Sequence, residues 1–353
     1  MSSPEFFSVL LAGGSGTRFW PASRRAHPKQ LLNLLDGQSL LRATLDRQGD
    51  LVDADHVLIL TSEELLSPCQ AALKEIPDAG FLAEPVGRNT AASVAWAAVA
   101  VARHDPKAVF AVLPADHVIP DDDSYRASLR AAIELASNED VLVTFGIEPS
   151  YPATGYGYIE ASEEDGDGDF RDVVRFVEKP DLAHAEEFLN AGSFLWNSGM
   201  FVWRAEVILD AFRRHAPEVL DPIERGAAAG DVAAVFADVP ALPVDKAILE
   251  RAENVRVLPI SWSWSDLGAW PSLPEVLGSD EQGNCAAGGA KLIAEDSSGC
   301  TVFSEEDEHV ALLGVEGLVV VRAAGVTLVC PADRAQEVRR IVDRLGGEAP
   351  ELL

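Results

Sequence analysis

Residues 9–30 read VLLAGGSGTRFWPASRRAHPKQ, and this stretch decides the fold. The apolar run from Phe6 to Ala12, with Ser8 inside it, predicts a buried first strand of a parallel sheet. Leu11 and Ala12 lead directly into Gly13-Gly14-Ser15-Gly16-Thr17-Arg18. Three glycines in four positions free the backbone for positive φ and for close approach to a ligand. Successive N–H groups in such a turn form an anion-binding concavity. Arg18 and, further on, Lys29 add fixed positive charge. A strand, a glycine turn and two cations together predict a polyphosphate site.

Other readings of the same turn compete. A dinucleotide fingerprint needs G-x-G-x-x-G; Gly14 and Gly16 fit, but the third position is Phe19. A Walker A loop needs four residues between its first glycine and G-K-[ST], and that string does not occur in this stretch. A plain strand–turn connection is the structural alternative. The extended string is more specific: G-G-x-G-x-R-x-x-P followed by Pro28-Lys29-Gln30. It resembles the signature of the nucleotidyltransferases that join a sugar 1-phosphate to a nucleoside triphosphate.

Composition narrows the class. The chain has 353 residues, which suggests one large domain plus a smaller one, and its 48% hydrophobic content suffices for a core. No apolar run reaches the roughly 18–20 residues that span a bilayer. No basic-then-apolar N-terminal segment is present, so a signal peptide is not expected. Cys69, Cys285, Cys300 and Cys330 are widely spaced without a C-x-x-C pair, which predicts free thiols in a reducing cytoplasm. Acidic residues number 57 against 28 basic ones, a net charge of −29. That balance argues against nucleic acid or an anionic membrane as partner. Only six lysines occur, and an acid-rich, lysine-poor surface predicts a high-salt cytoplasm. Compositional drift in an arginine-rich proteome is the alternative; stability and activity across a salt series distinguish them, a low-salt optimum excluding the first.

Farther along, Ser39 is placed to cap a helix through about Gln48. His56 to Leu60 predicts a second strand, residues 62–72 a helix, and Gly80 to Ala83 a third strand. Alternating strands and helices point to an α/β sheet with ligands beyond the strand carboxyl ends. Glu84-Pro85-Val86-Gly87-Arg88-Asn89-Thr90-Ala91 follows, and Asn89 or Thr90 can cap the alanine-rich helix that runs to about Arg103. The functional alternative is base recognition, since guanine offers an N1–H and an exocyclic amine to a carboxylate or carbonyls. E-P-x-x-R-N-T-A resembles the guanylyltransferase branch, whereas the thymidylyl and uridylyl branches usually carry a glutamine-containing string. Ala108 to Leu113 predicts a fourth strand, ending in Pro114-Ala115-Asp116-His117. A carboxylate there sits on the crevice rim and suits magnesium, which prefers hard oxygen ligands. His117 is a softer ligand type and is assigned a structural role.

Val141 to Gly146 predicts a fifth strand, and Thr154-Gly155-Tyr156-Gly157-Tyr158-Ile159 a hairpin entry or a wall against a flat ligand. Glu163 to Asp169 is acidic and glycine-rich and reads as a solvated hairpin tip. Val173 to Val177 predicts a strand stopped by Pro180. Glu178 and Lys179, adjacent on a regular strand, would point to opposite faces, which disfavours a salt bridge between them. Trp196-Asn197-Ser198-Gly199-Met200-Phe201 follows, with Trp196 assigned to the core. Helices are expected over Ala205 to His215 and Val244 to Glu253. Trp262-Ser263-Trp264-Ser265-Asp266-Leu267-Gly268-Ala269-Trp270 is a tryptophan- and serine-rich turn whose structural alternative is packing, and its W-S-D-x-G-x-W string belongs to the resemblance given below. From about Gly283, five short apolar segments predict a small β domain closed by a helix from about Pro331 to Leu345.

These strings narrow the resemblance to the mannose-1-phosphate guanylyltransferase family and cover nearly the whole chain, most specifically residues 9–270. The fold it implies is α/β: a Rossmann-like nucleotidyltransferase domain with a mixed, mostly parallel sheet over residues 1–282. A small β-helix-like C-terminal domain over residues 283–353 often supports dimerisation in the family, so a homodimer is expected. The length leaves no room for the isomerase domain of some longer relatives. The activity implied is transfer of GMP from GTP to α-D-mannose 1-phosphate, with Mg2+ on Asp116 and Asp266. Residues 11–17, Glu84, Pro85, Arg88, Asn89 and Thr90 would hold the nucleotide. Arg18 and Lys29 would stabilise triphosphate charge. Gly157, Glu178 and Asn197 would hold the sugar, and Lys179 its phosphate. Lys246 stands where many relatives have tyrosine, which leaves it without an assigned role. A guanylyltransferase for another sugar 1-phosphate, such as a heptose, is the alternative enzyme. A catalytically silent nucleotide-sugar-binding relative is the alternative from another class, and the intact carboxylates and lysines oppose it. Phe19 opposes an NAD-dependent oxidoreductase.

Overall fold

The computed structural model describes residues 5–14, 16–34, 37–162 and 169–353. Ser15, expected at the nucleotide, and the acidic stretch 163–168, expected as a hairpin tip, lie outside the described residues. Nine strands form the main sheet among the described residues: β1 (Phe6–Leu11), β2 (Val57–Ser62), β3 (Phe81–Glu84), β4 (Val109–Pro114), β5 (Leu142–Ile147), β6 (Gly157–Ala161), β7 (Arg171–Glu178), β8 (Phe194–Arg204) and β9 (Val255–Ile260). Their order is β3-β2-β1-β4-β8-β5-β9-β7-β6. The β3-β2-β1-β4 half is parallel throughout. It forms because its strands are apolar on both faces and joined by helices, which cover both sides. Ser39 caps its helix as expected, accepting the Arg42 N–H.

The sheet changes character at β8. That strand runs antiparallel to both β4 and β5, and β6 also pairs antiparallel with β8 and β7. The pairings β8–β5–β9–β7–β6–β8 close a circuit of five strands. Neither β8 nor β9 was expected from the sequence. β8 contains Asn197-Ser198-Gly199, which reads as a turn, and it is buried on both faces, so it lacks a period-two pattern. The helix expected over Val244 to Glu253 is only one wide turn, Asp245–Leu249, closed by the Glu250 N–H bonding the Asp245 carbonyl at 2.9 Å. Beyond it the chain turns and enters β9.

The C-terminal strands β10 (Cys285–Glu295), β11 (Thr301–Leu313), β12 (Leu318–Ala323) and β13 (Val326–Pro331) form a separate sheet. Cys285, Thr301 and Val319 are stacked in parallel register, one rung above another. Two segments expected as separate strands, residues 300–303 and 310–313, belong to one strand. Its acidic middle, Glu305 to Glu308, is carried through by the β10 ladder, with a register shift at Gly288/Ala290. The terminal helix begins as a 3-10 stretch, Ala332–Glu337, and continues as Val338–Glu348. Trp270 ties this region to the glycine loop, with ring centroids 4.8 Å from Phe19 and 5.0 Å from Phe303. Among the described residues no helix is long and apolar enough to cross a membrane.

Candidate active site

The motifs meet at one rim because of strand direction. β1, β4 and β9 end there at Leu11, Pro114 and Ile260, whereas antiparallel β8 begins there. The Ala115 N–H bonds the Leu11 carbonyl at 3.0 Å, so Asp116 follows alongside the glycine loop. Val118 and Ser265 exchange two backbone hydrogen bonds, of 2.9 and 3.0 Å. That bridge fixes the Asp116 and Asp266 segments to each other.

Gly13 and Gly14 are exposed, and Gly14 has φ +97°. The loop's base is fixed by Gln30 Nε2 and the Thr61 hydroxyl, which donate to the Ala12 carbonyl at 2.7 and 3.2 Å. Gly16 has φ +55°, and a Cβ on it would lie 2.5 Å from the Lys29 Cβ. Only glycine therefore lets the Lys29 segment pack under the loop. Lys29 is 6% exposed, and its ammonium donates to Asp116 Oδ2 at 2.8 Å and also to the Asp266 carbonyl. It lies 5.7 Å from the centroid of the Phe19 ring. The residue that breaks the dinucleotide fingerprint thus supports the buried cation.

Burial alone would raise the Asp116 carboxyl, but Lys29 and, less strongly, His117 hold it below the usual carboxylate range. His117 is pushed down to about 4, chiefly by burial, and is neutral near pH 7. Its Nδ1 accepts the Trp264 indole N–H at 3.2 Å, in keeping with the structural role expected of it. Asp266 accepts the Tyr156 hydroxyl at 2.9 Å. Burial and then the Asp266 charge push that phenol up, so it stays a hydrogen-bond donor. Arg18 is exposed and donates to Gln336 Oε1 at 3.2 Å, a contact across 318 residues of sequence.

The 84–91 segment sits at the end of β3. Glu84 accepts the Ser93 hydroxyl, and burial raises its pKa. Pro85, Gly87 and Asn89 are exposed, while Arg88 donates to the Ala237 carbonyl. The expected caps take other forms. Asn89 has φ +63° and accepts the N–H of its neighbour Thr90 at 2.8 Å. Thr90 does not cap; its hydroxyl accepts the Val244 N–H at 2.9 Å and binds the Asp245 turn to this helix.

On the other side, Trp196 is buried, with Tyr156 and Tyr151 packed edge-on at 5.1 and 4.9 Å. Gly157 pairs with Glu178, and a Cβ on Gly157 would lie 2.7 Å from Glu178 Oε2. Glu178 and Lys179 do form an ion pair, contrary to the sequence expectation. Lys179 has φ +50°, so the strand is not regular there and the two side chains swing to one side. The Lys179 side chain is 60% exposed. Asn197 is buried: Oδ1 accepts from Thr144 Oγ1 and the Gly199 N–H, and one Nδ2 N–H donates to Asp245 at 2.9 Å. Asp245 is pushed up to about 7 by burial and then by the Glu178 charge. Tyr156, Asp245 and Gln336 had no role assigned from sequence. Tyr156 stood inside a quoted motif, but Asp245 was hidden in an expected helix and Gln336 in the distant terminal segment.

Residues 7–283 match the Nucleotidyl transferase family, and residues 290–345 match the MannoseP isomerase/GMP-like beta-helix domain. The chain belongs to the nucleotidyl transferase family. This nucleotidyl transferase is 37% identical over 351 residues to the Xanthan biosynthesis protein XanB of Xanthomonas campestris, covering 97% of this chain and 73% of that one. It is 37% identical over 349 residues to a Klebsiella pneumoniae mannose-1-phosphate guanylyltransferase, covering 96% and 73%. A Thermus thermophilus crystal structure, described as a mannose-1-phosphate geranyltransferase, superposes with a TM-score of 0.88 at 36% identity, covering 97% of this chain and all of that one. The resemblance drawn from the motifs is thereby borne out.

Proposed function

We propose that the chain transfers GMP from GTP to α-D-mannose 1-phosphate, releasing diphosphate and GDP-mannose. The observation that carries this reading is the Lys29–Asp116–Asp266 group, set between the glycine loop and the Tyr156–Glu178 wall. The Klebsiella relative is a mannose-1-phosphate guanylyltransferase, and the 84–91 string favours guanine. Residues 1–282 would carry the chemistry, with residues 283–353 as a β-coil companion through which a homodimer would form in the cytoplasm.

A phosphate oxygen of the sugar phosphate would attack the α-phosphorus of GTP. The new P–O bond forms as the bond to diphosphate breaks, and the electron pair leaves with diphosphate. The nucleophile is already anionic at neutral pH, so neither a general base nor a covalent intermediate is required. The protein's contribution is positioning and charge stabilisation. Gly13 and Gly14 would present N–H groups to the triphosphate, with Arg18 and Lys29 stabilising charge as it moves toward diphosphate. Lys179, exposed and paired with Glu178, would exchange that partner for the attacking phosphate. Glu178 and Asn197 would set the sugar, Asn197 with its remaining amide N–H while the other is held by Asp245.

Asp116 and Asp266 present hard carboxylate oxygens from two segments bridged by Lys29, a donor set that fits Mg2+. A cation held by them would neutralise phosphate charge.

The test is diphosphate release from purified protein with mannose 1-phosphate and magnesium, using GTP, ATP, UTP and dTTP separately. Release with GTP alone is expected. Preference for another nucleotide would overturn the guanine reading of residues 84–91, and silence with all four would overturn the activity.

A further inference from the structure

At the opposite edge of the parallel half, where β1 and β2 begin, Glu5, His56 and His104 come together. Glu5 immediately precedes β1, His56 immediately precedes β2, and His104 ends the helix Asn89–His104. One carboxylate oxygen and one nitrogen from each imidazole all lie within 4.8 Å of one another. Glu5 Oε2 is 2.5 Å from His104 Nε2. Phe7, buried beneath them, holds both rings, with centroids 4.5 Å from His56 and 5.2 Å from His104.

The backbone beneath this group is fixed. The Val109 N–H bonds the Glu5 carbonyl at 2.9 Å, and Ser8 is in register with Val57. Glu5 and His104 are exposed, so their side chains can shift without disturbing the core. Tetrahedral zinc with ligand bonds of about 2.0–2.2 Å needs donor atoms roughly 3.3–3.5 Å apart. Separations of at most 4.8 Å require a movement of no more than about 1.5 Å, within the reach of side-chain rotation.

We propose that Glu5, His56 and His104 form a second metal site, selective for a borderline divalent transition ion such as Zn2+, with water completing the coordination. Two imidazoles and one carboxylate suit zinc, whereas magnesium takes oxygen ligands almost alone. The acidic surface raises the local concentration of cations, and the nitrogen donors select among them. Occupancy would tie the start of β1, the start of β2 and the end of the long helix into one unit, at the edge away from the substrate rim.

The test uses the full chain, stripped with chelator and re-equilibrated with Zn2+ in excess Mg2+ that occupies carboxylate-only sites. One tightly held zinc per chain is expected, together with a rise in Tm. Co2+ in place of zinc should give the visible absorption of a four-coordinate nitrogen–oxygen site. His104→Gln and His56→Gln should each weaken zinc binding at least about tenfold, the low end of what losing even an outer-shell partner costs. They should also abolish the zinc-dependent rise in Tm. Comparison of each variant's metal-free Tm with that of the parent separates lost binding from lost folding. Failure to retain zinc, or retention unaltered in both variants, would overturn the proposal.

Discussion

The two sides of the rim solve different problems. On the nucleotide side, opposite charges face each other: Lys29 against Asp116, with Arg18 and the exposed Gly13–Gly14 turn beside them. On the proposed sugar side, two carboxylates are close: the Glu178 charge acts on buried Asp245, with Lys179 paired to Glu178 and the Asn197 amide donating to Asp245. The first side is a preformed counter-charge for an anion. The second holds a proton near neutrality and satisfies its polar groups internally until a ligand bearing hydroxyl groups replaces those bonds. On the proposed assignment, the phosphate side and the sugar side thus carry different electrostatic arrangements.

The strongest way to break this contrast is Lys29→Ala. It should lower turnover roughly 10²–10³-fold, the scale of losing one charge-stabilising donor. Steady-state rates at saturating substrates check it, and near-normal turnover would show that the preformed cation is dispensable. Asp245→Asn tests the other side. The wild-type Asp245 pKa is raised, so the folded state keeps a proton that the unfolded chain gives up as pH rises past the usual aspartate range. That contribution is fully present below about pH 4 and lost as pH rises through about 7. The asparagine variant should match the parent in stability near pH 4 and exceed it at pH 8 by about 4 kcal/mol. Denaturant melts at the two pH values decide; an equal difference at both would remove the crowded-charge account.

Gly157→Ala sharpens the comparison geometrically. The added methyl meets Glu178 Oε2 and displaces the carboxylate, so kcat/KM for the sugar phosphate should fall roughly 10–10²-fold, as for a misplacement of about 1 Å. The KM for GTP should stay close to normal; if it rises equally, the two sides are not separable. Gln336→Ala is the mildest change. Losing one exposed hydrogen bond to Arg18, on the order of 0.5–1.5 kcal/mol, should raise the KM for GTP about two- to tenfold without changing the KM for the sugar phosphate. An effect on the sugar phosphate alone would place Arg18 on the wrong side.

The nucleotide side was the more legible in sequence, for a physical reason. Its residues lie in loops after parallel strands, where an apolar run ending in glycine or aspartate announces both the strand and the rim. Asp116 stood out that way, after the apolar run Ala108 to Leu113, whereas Lys29 and Asp266 were picked out only by the motif strings around them. The sugar side is built from β8, whose two buried faces erase the alternating pattern, and from the wide Asp245 turn, which imitates a helix. The Glu178–Lys179 pair was misjudged because the left-handed conformation at Lys179 carries no glycine to signal it. The C-terminal strands were foreseen as segments, but the rung-to-rung stacking depends on pairings that hydropathy alone does not specify. Contacts such as Arg18–Gln336 join the two ends of the chain, and residue type at neither end announces the other.

The reversed direction of β8 also determines how the enzyme could be redesigned. Where a parallel strand ends at the rim, the residues that meet the ligand lie in a loop, and a loop can be lengthened or exchanged while its strand stays in place. β8 instead brings Asn197 to the rim inside a strand that is hydrogen-bonded along both edges. Substrate scope should therefore evolve unevenly. On the proposed assignment, a new base would be reached by grafting the 84–91 loop, and a new sugar by point substitutions that preserve the ladder.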